Sequence, residues 1–452
     1  MPSQDKYEGY STESGDMRDS TQKTYRDLEV NIITRTDRVD ITALIIEIGF
    51  SEDINSPYLV GRLTFVDNSA LATTLPIIGQ ESVEIKFIRA GVEVEKTFSC
   101  TNVVNITKMV GEVAGIEMEL ESTKILTNSV SVFSKSYSGL ASDIIQKIHT
   151  NYLGEAVDIQ SPSSSAHNIV FPFGRPYPAI RKILSSTFGS DGTPYYLFEN
   201  LFGDGPILKS LGDMLIEETD EKLFELKKHL NYNKDTITGQ GSRLSPDTIG
   251  ALYGYSIEQN ADTLALLTSG ALANNTIRIN PANKHYTENN FYYEDHAAGY
   301  SPLDPYQKYE VNDTKLSAGI LKPSLDVEFH NPIAFESEGV TELNTQSDVL
   351  AKTKKKSFSR RISNMVIIRA TTDSHPEKLK AGTCVNMRVL ANAPPMDGEQ
   401  LEDLLNSGRH LITSVNHILR GGEYTMELTL AREGLSQPAK IGKTAASSSG
   451  PR

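Results

Sequence analysis

The chain has 452 residues, more than one hydrophobic core usually supports, so its length alone predicts about three domains. Its formal net charge of −14 argues against sequence-independent nucleic-acid binding, because neutralising phosphates requires an excess of Lys and Arg. No stretch resembles a secretion signal or approaches the roughly 18 to 20 apolar residues that span a bilayer, so we expect a soluble protein that stays in the cell that makes it.

Both ends of the chain are polar. Residues 1–27 contain no Ala, Val, Leu or Ile, and residues 436–452 form a similarly polar closing stretch. Segments of this composition cannot bury enough apolar surface to fold alone. The sequence therefore predicts a flexible N-terminal arm (1–27), a flexible tail (436–452) and folded structure between them.

Residues 28–125 have the pattern of a first β domain. Short apolar runs alternate with polar residues and are separated by turns, with no helical pattern between them. The predicted strands are Ile41–Ile48, Leu59–Val66, Val83–Phe87, Val92–Phe98, Val103–Lys108 and Ile116–Leu120. Strands at this spacing favour a small antiparallel barrel or sandwich.

Residues 126–235 change to a mixed α/β pattern. Leu140, Ile144, Ile148 and Tyr152 share one helical face, with Ser138 as the predicted N-cap and a glycine at 154 as the stop signal. A second helix is predicted over Tyr177–Phe188, followed by an aromatic strand from Pro194 and a Gly-containing turn that ends at Pro206. These elements predict an α/β connecting domain.

Residues 236–435 return to β patterns and are predicted to form a second barrel with a long insertion at about 281–345. Within it, 281–325 is rich in Tyr, Asn, Asp, Pro and Gly and is expected to hold little regular structure. A helix is predicted at about 345–360. No exact sequence repeat links the two β regions. The predicted fold class is therefore mainly β (α+β), with two antiparallel β-barrels linked by a small α/β domain.

Three passages carry a resemblance to a known family. The first is ITALIIEIGFSEDINSPYLVGRLTFVDNSALATTLPIIGQESVEIKF, in which a strand ending at Asp67 leads to a Pro-x-x-Gly-x-Glu step at Pro76. The others are SYSGLASDIIQKIHTNYLG with RPYPAIRKILSSTFGSDGTPYYLFENLFGDGPILKSLGDML, and LKAGTCVNMRVL with GRHLITSVNHILRGGEYTMELTLAREGL. Taken in this order over about 28–435, they resemble the baseplate hub family of contractile-tailed phages, the T-even type included.

The resemblance implies a structural function. Two tail-tube-like barrels in each chain, in a homotrimer, would form a pseudo-sixfold ring that joins a sixfold tail tube above to a threefold central spike below. It implies a tube or tube-initiator partner, a spike partner and a possible tape measure contact, in a virion baseplate assembled in the host cytoplasm. Three chains would carry 3 × −14 = −42 charges, so DNA would pass through the lumen without binding.

Sequence motifs of catalysis are missing, so we predict no enzyme, no catalytic residue, no cofactor and no metal. Gly-x-Ser-x-Gly, His-Glu-x-x-His and Cys-x-x-Cys do not occur, and Gly442-Lys-Thr has Gln437 where a phosphate loop begins. His410 and His417 are an odd number of residues apart on one predicted strand, hence expected on opposite faces. The adjacent acids Glu52 and Asp53 are expected to face water.

Two other functions remain open alternatives. One is a phage tail-associated cell-wall hydrolase, for which carboxylate pairs such as Glu199 and Asp204 could be drawn. The other is a carbohydrate- or receptor-binding tail module using the Tyr-rich loop 286–300. The most site-like cluster lies around that loop, although a solvated loop is favoured for it: its members are His285, Glu288, Glu294, Asp295 and His296.

A basic cluster stands out in this acidic chain and is the predicted interface site. Its members are Lys352, Lys354, Lys355, Lys356, Arg360 and Arg361. A solvated helix face accounts for such a run, and the sharper hypothesis is contact with acidic residues of a neighbouring subunit. The two cysteines, Cys100 and Cys384, are predicted as buried thiols of a reducing compartment, with one long-range disulfide as the alternative.

Overall fold

The fold is described from a computed structural model that covers most of the predicted β and α/β regions. The described residues are 24–35, 37–67, 77–108, 114–163, 166–189, 193–216, 224–228, 251–259, 263–280, 284–293, 295, 310–311, 314–315, 322–327, 357–359, 366–389, 402–403 and 406–433. The predicted arm up to residue 23, the predicted tail and most of the predicted helix at 345–360 lie outside them.

The fold is mainly antiparallel β, as predicted. The strands before the first long helix are β1 Arg26–Ile33, β2 Arg38–Asp40, β3 Ile45–Asp53, β4 Val60–Asp67, β5 Ser82–Arg89, β6 Val92–Lys108 and β7 Ala114–Ser122. The middle elements are α1 Thr123–Val130, β8 Phe133–Leu140, α2 Ala141–Leu153, β9 Asp158–Ile159, β10 Ala166–Gly174, α3 Pro176–Ser185, β11 Tyr195–Glu199, β12 Pro206–Ser210 and α4 Leu211–Ile216.

The remaining elements return to β structure. They are β13 Phe224–Lys228, β14 Ala251–Leu252, β15 Gly254–Gln259, α5 Thr263–Ser269, β16 Ala273–Asn280, β17 His285–Tyr292, β18 Glu310–Val311, β19 Thr314–Lys315, β20 Lys322–Val327, β21 Val366–Thr372, β22 Cys384–Arg388, β23 Gly408–Arg420 and β24 Glu423–Arg432. One 14-stranded sheet unites β1–β7 with β13–β15 and β21–β24.

The large sheet consists of two parts with the same strand order. We call β1–β7 the first sheet, with neighbours in the order β3-β4-β7-β6-β5-β1-β2, and we call the other seven strands the second sheet, in the order β15-β21-β24-β23-β22-β13-β14. When the seven strands of each sheet are numbered in chain order, both sheets have the same spatial order: third, fourth, seventh, sixth, fifth, first and second. The topology is therefore repeated although the sequence is not.

The two sheets differ in the direction of one strand, the first in chain order. In the first sheet β1 runs antiparallel to both β5 and β2. In the second sheet β13 runs parallel to both β22 and β14. The other five strands are antiparallel to their neighbours in both sheets. The direction of the second strand relative to the fifth is the same in both sheets, so the repeat holds for six strands and only the first strand is reversed.

The two sheets are joined within one chain by β3 and β23. These strands pair antiparallel from Ser414 opposite Asp53 to Arg420 opposite Glu47. The sequence leaves open whether the first β region pairs with the second of its own chain or of a neighbour. In this structure it pairs with its own.

Alternation of apolar residues explains the strands of the first sheet. Burial alternates residue by residue along β5, and Val83, Ile85 and Phe87 are all at most 1% exposed. Their side chains meet Phe50 and Phe98, whose rings stack with centroids 5.4 Å apart. Burying one such side chain contributes about 2 kcal/mol to folding. The sequence predicts two separate strands from Val92 and from Val103. This is wrong, because both belong to one 17-residue strand, β6.

The middle region contains both predicted helices, and the first of them starts later than predicted. The helix α2 buries Ile144 and Ile148, and Gly154 ends it in the left-handed conformation (φ 78°) that glycine adopts without strain. The predicted N-cap is wrong, since Ser138 lies in β8, and Leu140 occupies the cap position. A strand that runs directly into the helix leaves no place for a capping turn there.

The insertion contains more regular structure than its composition predicts. Strands β17, β16 and β20 form a separate three-stranded sheet, so the expectation of little structure over 281–325 is wrong for this part. Polar residues on the exposed face hid the period, since Tyr286 is 64% exposed whereas Phe291 is buried. The domain boundaries drawn from the sequence stay a prediction.

Candidate functional site at the junction of the two sheets

Glu52 lies at the centre of the junction between the sheets and is fully buried. It sits on β3 opposite Val415 of β23. Its Oε1 accepts the backbone N–H of Leu201 at 2.5 Å, and its Oε2 accepts that of Ala381 at 3.0 Å. One carboxylate therefore links the first sheet, the middle region and the second sheet. A buried charge of this kind is tolerated only because its oxygens are hydrogen-bonded.

His417 and Tyr424 extend this network within the second sheet. The Nε2 of His417 lies 3.0 Å from Oε1 of Glu52, and its Nδ1 lies 2.6 Å from the hydroxyl of Tyr424. Burial raises the pKa of Tyr424 well above its ordinary value, so the hydroxyl stays protonated and is able to donate a hydrogen bond to Nδ1. The imidazole then carries its proton on Nε2 and donates to Glu52.

Arg89 closes the network at the end of β5. Its guanidinium carbon lies 5.1 Å from the centre of the Tyr424 ring, a cation–π arrangement, and its Nη2 donates to the carbonyl of Asp373. Burial lowers the pKa of Arg89, and the nearby Tyr424 and Asp373 oppose that shift. The carboxylate of Asp373 in turn accepts the hydroxyl of Tyr253 at 2.6 Å. Residues of both sheets therefore share one polar interior.

A turn of the middle region enters the same junction. The ring of Phe202 lies 5.8 Å from that of His417, 6.4 Å from that of Tyr424 and 6.3 Å from that of Phe87. Lysines from both sides hold the turn: Lys380 donates to the carbonyl of Phe202 at 3.1 Å, and Lys96 to that of Gly203 at 2.9 Å. The middle region is thereby fixed to both sheets at one point.

Gly382 permits a close approach between the second sheet and the middle region. Its φ is +83°, and a Cβ at this position would lie 2.6 Å from the ring of Phe198. Only glycine satisfies both the left-handed backbone and this contact. The position therefore accepts no side chain without a shift of Phe198.

The junction has acid–base groups but no access for a substrate. Glu52, His417 and Tyr424 are 0% exposed, and Arg89 is 1% exposed. A buried carboxylate, imidazole and phenol joined by hydrogen bonds could relay a proton. Such a relay needs a reacting group within reach. The arrangement fits a mechanical role, because its hydrogen bonds connect the two sheets and the middle region.

The junction residues were not selected by sequence reasoning, and the expectation for Glu52 is wrong. Adjacent acids normally face water, and Asp53 does cap its turn by accepting the N–H of Asn55 at 2.7 Å. Glu52 instead points into the interior. The strand alternation of residues 45–53 was the signal that could have found it, since Ile48 and Phe50 are buried with the same parity.

The predicted interface cluster lies outside the described residues. This applies to Lys352, Lys354, Lys355, Lys356, Arg360 and Arg361, so their role stays a prediction. In the Tyr-rich cluster, His285 and Glu288 lie on strand β17, while Glu294 and His296 are outside the described residues. Of the other carboxylates, Glu199 is buried beside Lys96, with 3.5 Å between Oε1 and Nζ.

The structure shows how deeply the predicted histidines and cysteines are buried. The expectation that His410 and His417 lie on opposite faces assumes strict alternation, and that assumption is wrong. A bulge between Ile412 and Ser414 interrupts the alternation, and both histidines are fully buried. Cys100 and Cys384 do not form a disulfide. Cys100 is buried, and burial raises its pKa to about 12, whereas Cys384 is half-buried.

Within the described ranges, no group of three or more His, Cys, Asp or Glu side chains is arranged to hold a metal ion. No helix among them is long and apolar enough to cross a membrane.

No family model matches the chain, and no curated protein matches it either. Solved structures do match. A tail protein from Neisseria meningitidis MC58 aligns over 90% of this chain and 98% of its own, with a TM-score of 0.50 and 12% identity. The 43 kDa tail protein of prophage MuSo2 from Shewanella oneidensis aligns over 90% and 99%, with a TM-score of 0.51 and 10% identity.

A third similar structure is the E. coli c3393 protein, a type VI secretion system component with structural similarity to the T4 bacteriophage tail proteins gp27 and gp5. It covers 92% of this chain and 80% of its own at 10% identity, and its TM-score of 0.45 adds no support. At identities of 10–12% the first two likenesses bear on the fold alone. On that basis the chain has the fold of these tail proteins.

Proposed function

We propose that this chain is the structural hub of a contractile phage tail, a homotrimer that forms a pseudo-sixfold ring between the tail tube and the central spike. The observation that carries the proposal is the repeated strand order of the two sheets in one chain. Three chains with two similar sheets each present six similar units, which suits a sixfold partner on one face. The chain itself repeats only three times, which suits a threefold partner on the other.

The buried junction supports this function. A ring that transmits load between a tube and a spike needs its two units at a constant angle. Glu52, His417 and the turn at Phe202 hold the sheets together through hydrogen bonds and packing rather than through a flexible linker. The net charge of −14 per chain supports a lumen that DNA crosses without binding. On this proposal the protein is not an enzyme and acts in the virion baseplate.

Molar mass in solution tests the proposal. Light scattering of the purified chain at low micromolar concentration is expected to give three times 49.7 kDa, about 149 kDa, and electron microscopy of that species should show a ring with six lobes. A ring with three lobes would contradict the equivalence of the two sheets.

The two alternative functions give different results in the same preparation. A cell-wall hydrolase would clear purified peptidoglycan, and a binding module would retain host glycans on a column. Either activity in a stable monomer of about 50 kDa, unchanged after addition of a candidate spike protein, would contradict the hub.

A further inference from the structure

The strands β6 and β23 are the sixth strands of the two sheets and have equivalent partners. The first part of β6 pairs with β5 as far as Ser99 opposite Ser82, and the first part of β23 pairs with β22 as far as Leu411 opposite Cys384. Ser82 and Cys384 are the first residues of their strands. Beyond its pairing with the fifth strand, each sixth strand continues for the same length, to Lys108 and to Arg420.

Two further details align β6 with β23 residue by residue. A bulge interrupts the pairing with the seventh strand between Cys100 and Asn102 in the first sheet, and between Ile412 and Ser414 in the second. Next to each bulge, a backbone N–H bonds the carbonyl just before the fifth strand. Cys100 donates to Glu81 at 2.8 Å, as Ile412 donates to Thr383 at 2.9 Å. The two edges therefore have the same geometry up to this point.

The second halves of these strands differ in what they bind. In β23, Ser414 to Arg420 pair with β3, the third strand of the first sheet. In β6, no strand within the described part of the chain pairs with residues 102–108 on the corresponding edge. Val104 there is 44% exposed and lies at a second bulge, between Val103 and Asn105, which has no counterpart in the pairing of β23 with β24. An unpaired edge of this length is a ready template for another strand.

The strand equivalent to β3 in the second sheet is β15, and it is also incomplete. Among the described strands β15 pairs with β21 alone, whereas β3 has partners on both sides. Ser256, Ile257 and Glu258 are all exposed although they are consecutive. Successive residues of a strand point to opposite faces, so both faces of this end of β15 lack cover. Ile257 is 38% exposed on this edge strand.

We propose that β15 of one chain pairs antiparallel with residues 102–108 of β6 in a second copy of this chain. The proposal rests on the proposed hub function and deepens it by naming the surface through which chains join. Within a chain, the third strand of the first sheet binds the sixth strand of the second. Between chains, the third strand of the second sheet binds the sixth strand of the first. The same contact is then used twice.

This contact is heterologous, since the two surfaces are different, and it therefore builds either a closed ring or an open filament. If every sheet is related to the next by the same contact, three chains close after six sheets. Backbone hydrogen bonds along the edges give the affinity, and exposed apolar side chains such as Val104 and Ile257 are covered on closure.

Paired cysteines test the identity of the two edges. Chains carrying only Val104→Cys and chains carrying only Ile257→Cys are co-expressed and treated with a short bismaleimide. A covalent dimer is expected in the co-expressed sample and not in either variant alone, and a chain with both substitutions should give a covalent trimer of about 149 kDa, three times 49.7 kDa. The wild type reports any background from the native cysteines, of which Cys100 is buried.

A charge at the edge tests its importance for assembly. Ile257→Lys is expected to lower the molar mass from about 149 kDa to 49.7 kDa, with an unchanged circular dichroism spectrum and urea midpoint. The matched control is Leu264→Lys on α5, where the side chain is 71% exposed, and it should remain trimeric.

The outcomes separate the two proposals. If the wild type is a trimer, but Ile257→Lys is also a trimer and the co-expressed cysteines do not cross-link, the strand pairing is overturned while the hub remains supported. Cross-linking of Val104→Cys to itself would also overturn it, because it would indicate an isologous contact. A wild type that stays monomeric at every concentration, with and without a spike protein, would contradict both.

Discussion

The first and second sheets repeat one strand order, yet they differ in what joins their third and fourth strands. In the first sheet, residues 54–59 make a short connection from β3 to β4. In the second, residues 260–365 separate β15 from β21 and include a further three-stranded sheet. A long insertion at the end of a strand leaves the pairing of that strand unchanged, because loops lie outside the hydrogen-bonded ladder.

The difference between the sheets also lies in their interiors. By the alignment of Ser99 with Leu411, the fully buried His410 of the second sheet occupies the place of Phe98 in the first. Glu52 contributes its charge from the first sheet, and its partners lie in the second sheet and the middle region. Equivalent backbones therefore carry different interiors, and the polar groups concentrate where the two sheets meet.

The largest expected effect comes from breaking the junction. Glu52→Ala leaves His417 and two buried N–H groups without an acceptor, and it should lower the free energy of unfolding by about 3–5 kcal/mol. Urea denaturation measures this. The control on the same strand is Glu47→Ala, whose carboxylate pairs with the exposed Arg420 at 3.6 Å and should change stability by less than about 0.5 kcal/mol. Equal effects would contradict the junction as the joint between the sheets.

A smaller loss of stability is expected when the close contact between the second sheet and the middle region is disturbed. Gly382→Ala should cost about 2–4 kcal/mol, because it adds a left-handed alanine and a contact with Phe198. Gly422→Ala is the matched control: its φ is +85° and nothing lies within 4 Å of the added Cβ, so about 1 kcal/mol is expected. Unfolding free energies of the two variants isolate the contact from the backbone strain. Identical values would remove the role of Phe198.

His410, which in the second sheet occupies the place of Phe98, is expected to change the pH dependence of stability by about 2 kcal/mol. Burial, reinforced by the positive charge of Arg432, lowers the pKa of His410 from 6.5 to about 3. The folded protein therefore holds this histidine neutral at pH values where the unfolded chain protonates it, so stability is full above pH 6.5 and falls as the pH drops towards 3. His410→Phe should reduce the loss of unfolding free energy between pH 7.5 and 5 by about 2 kcal/mol.

Urea titrations of the wild type and of His410→Phe at the two pH values measure this difference. Between pH 7.5 and 9 the histidine is neutral in both states, so the variant and the wild type should change in parallel there. An unchanged pH dependence between 7.5 and 5 would show that His410 takes up its proton in the folded protein.

The smallest effect is expected from the hydroxyl of Tyr424. Tyr424→Phe removes the donor to Nδ1 of His417 and should cost about 1–2 kcal/mol in unfolding free energy. The matched control is Tyr177→Phe, since the buried hydroxyl of Tyr177 has no hydrogen-bond partner within the described structure and its loss should be close to neutral. A Tyr424→Phe protein as stable as Tyr177→Phe would mean that the His417 hydrogen bond adds nothing to the joint.

The sequence by itself determined the class of the fold and the positions of most elements. Alternating apolar residues located β4, β5 and β7, and the 3.6-residue period located α2 and α3, because these patterns reflect which face of each element is buried. The polar composition of 281–325 gave the wrong result for β17, since a strand with one exposed face and many Asn and Tyr residues has the composition of a loop.

Only the tertiary structure decided which strands are neighbours and which buried side chains meet. The pairing of β3 with β23 joins residues more than 350 positions apart, and no local pattern specifies it. For the same reason Glu52, His417 and Arg89 could not be assigned to one site from their spacing. Periodicity reports whether a residue is buried, whereas the partner it meets depends on how the sheets close on each other.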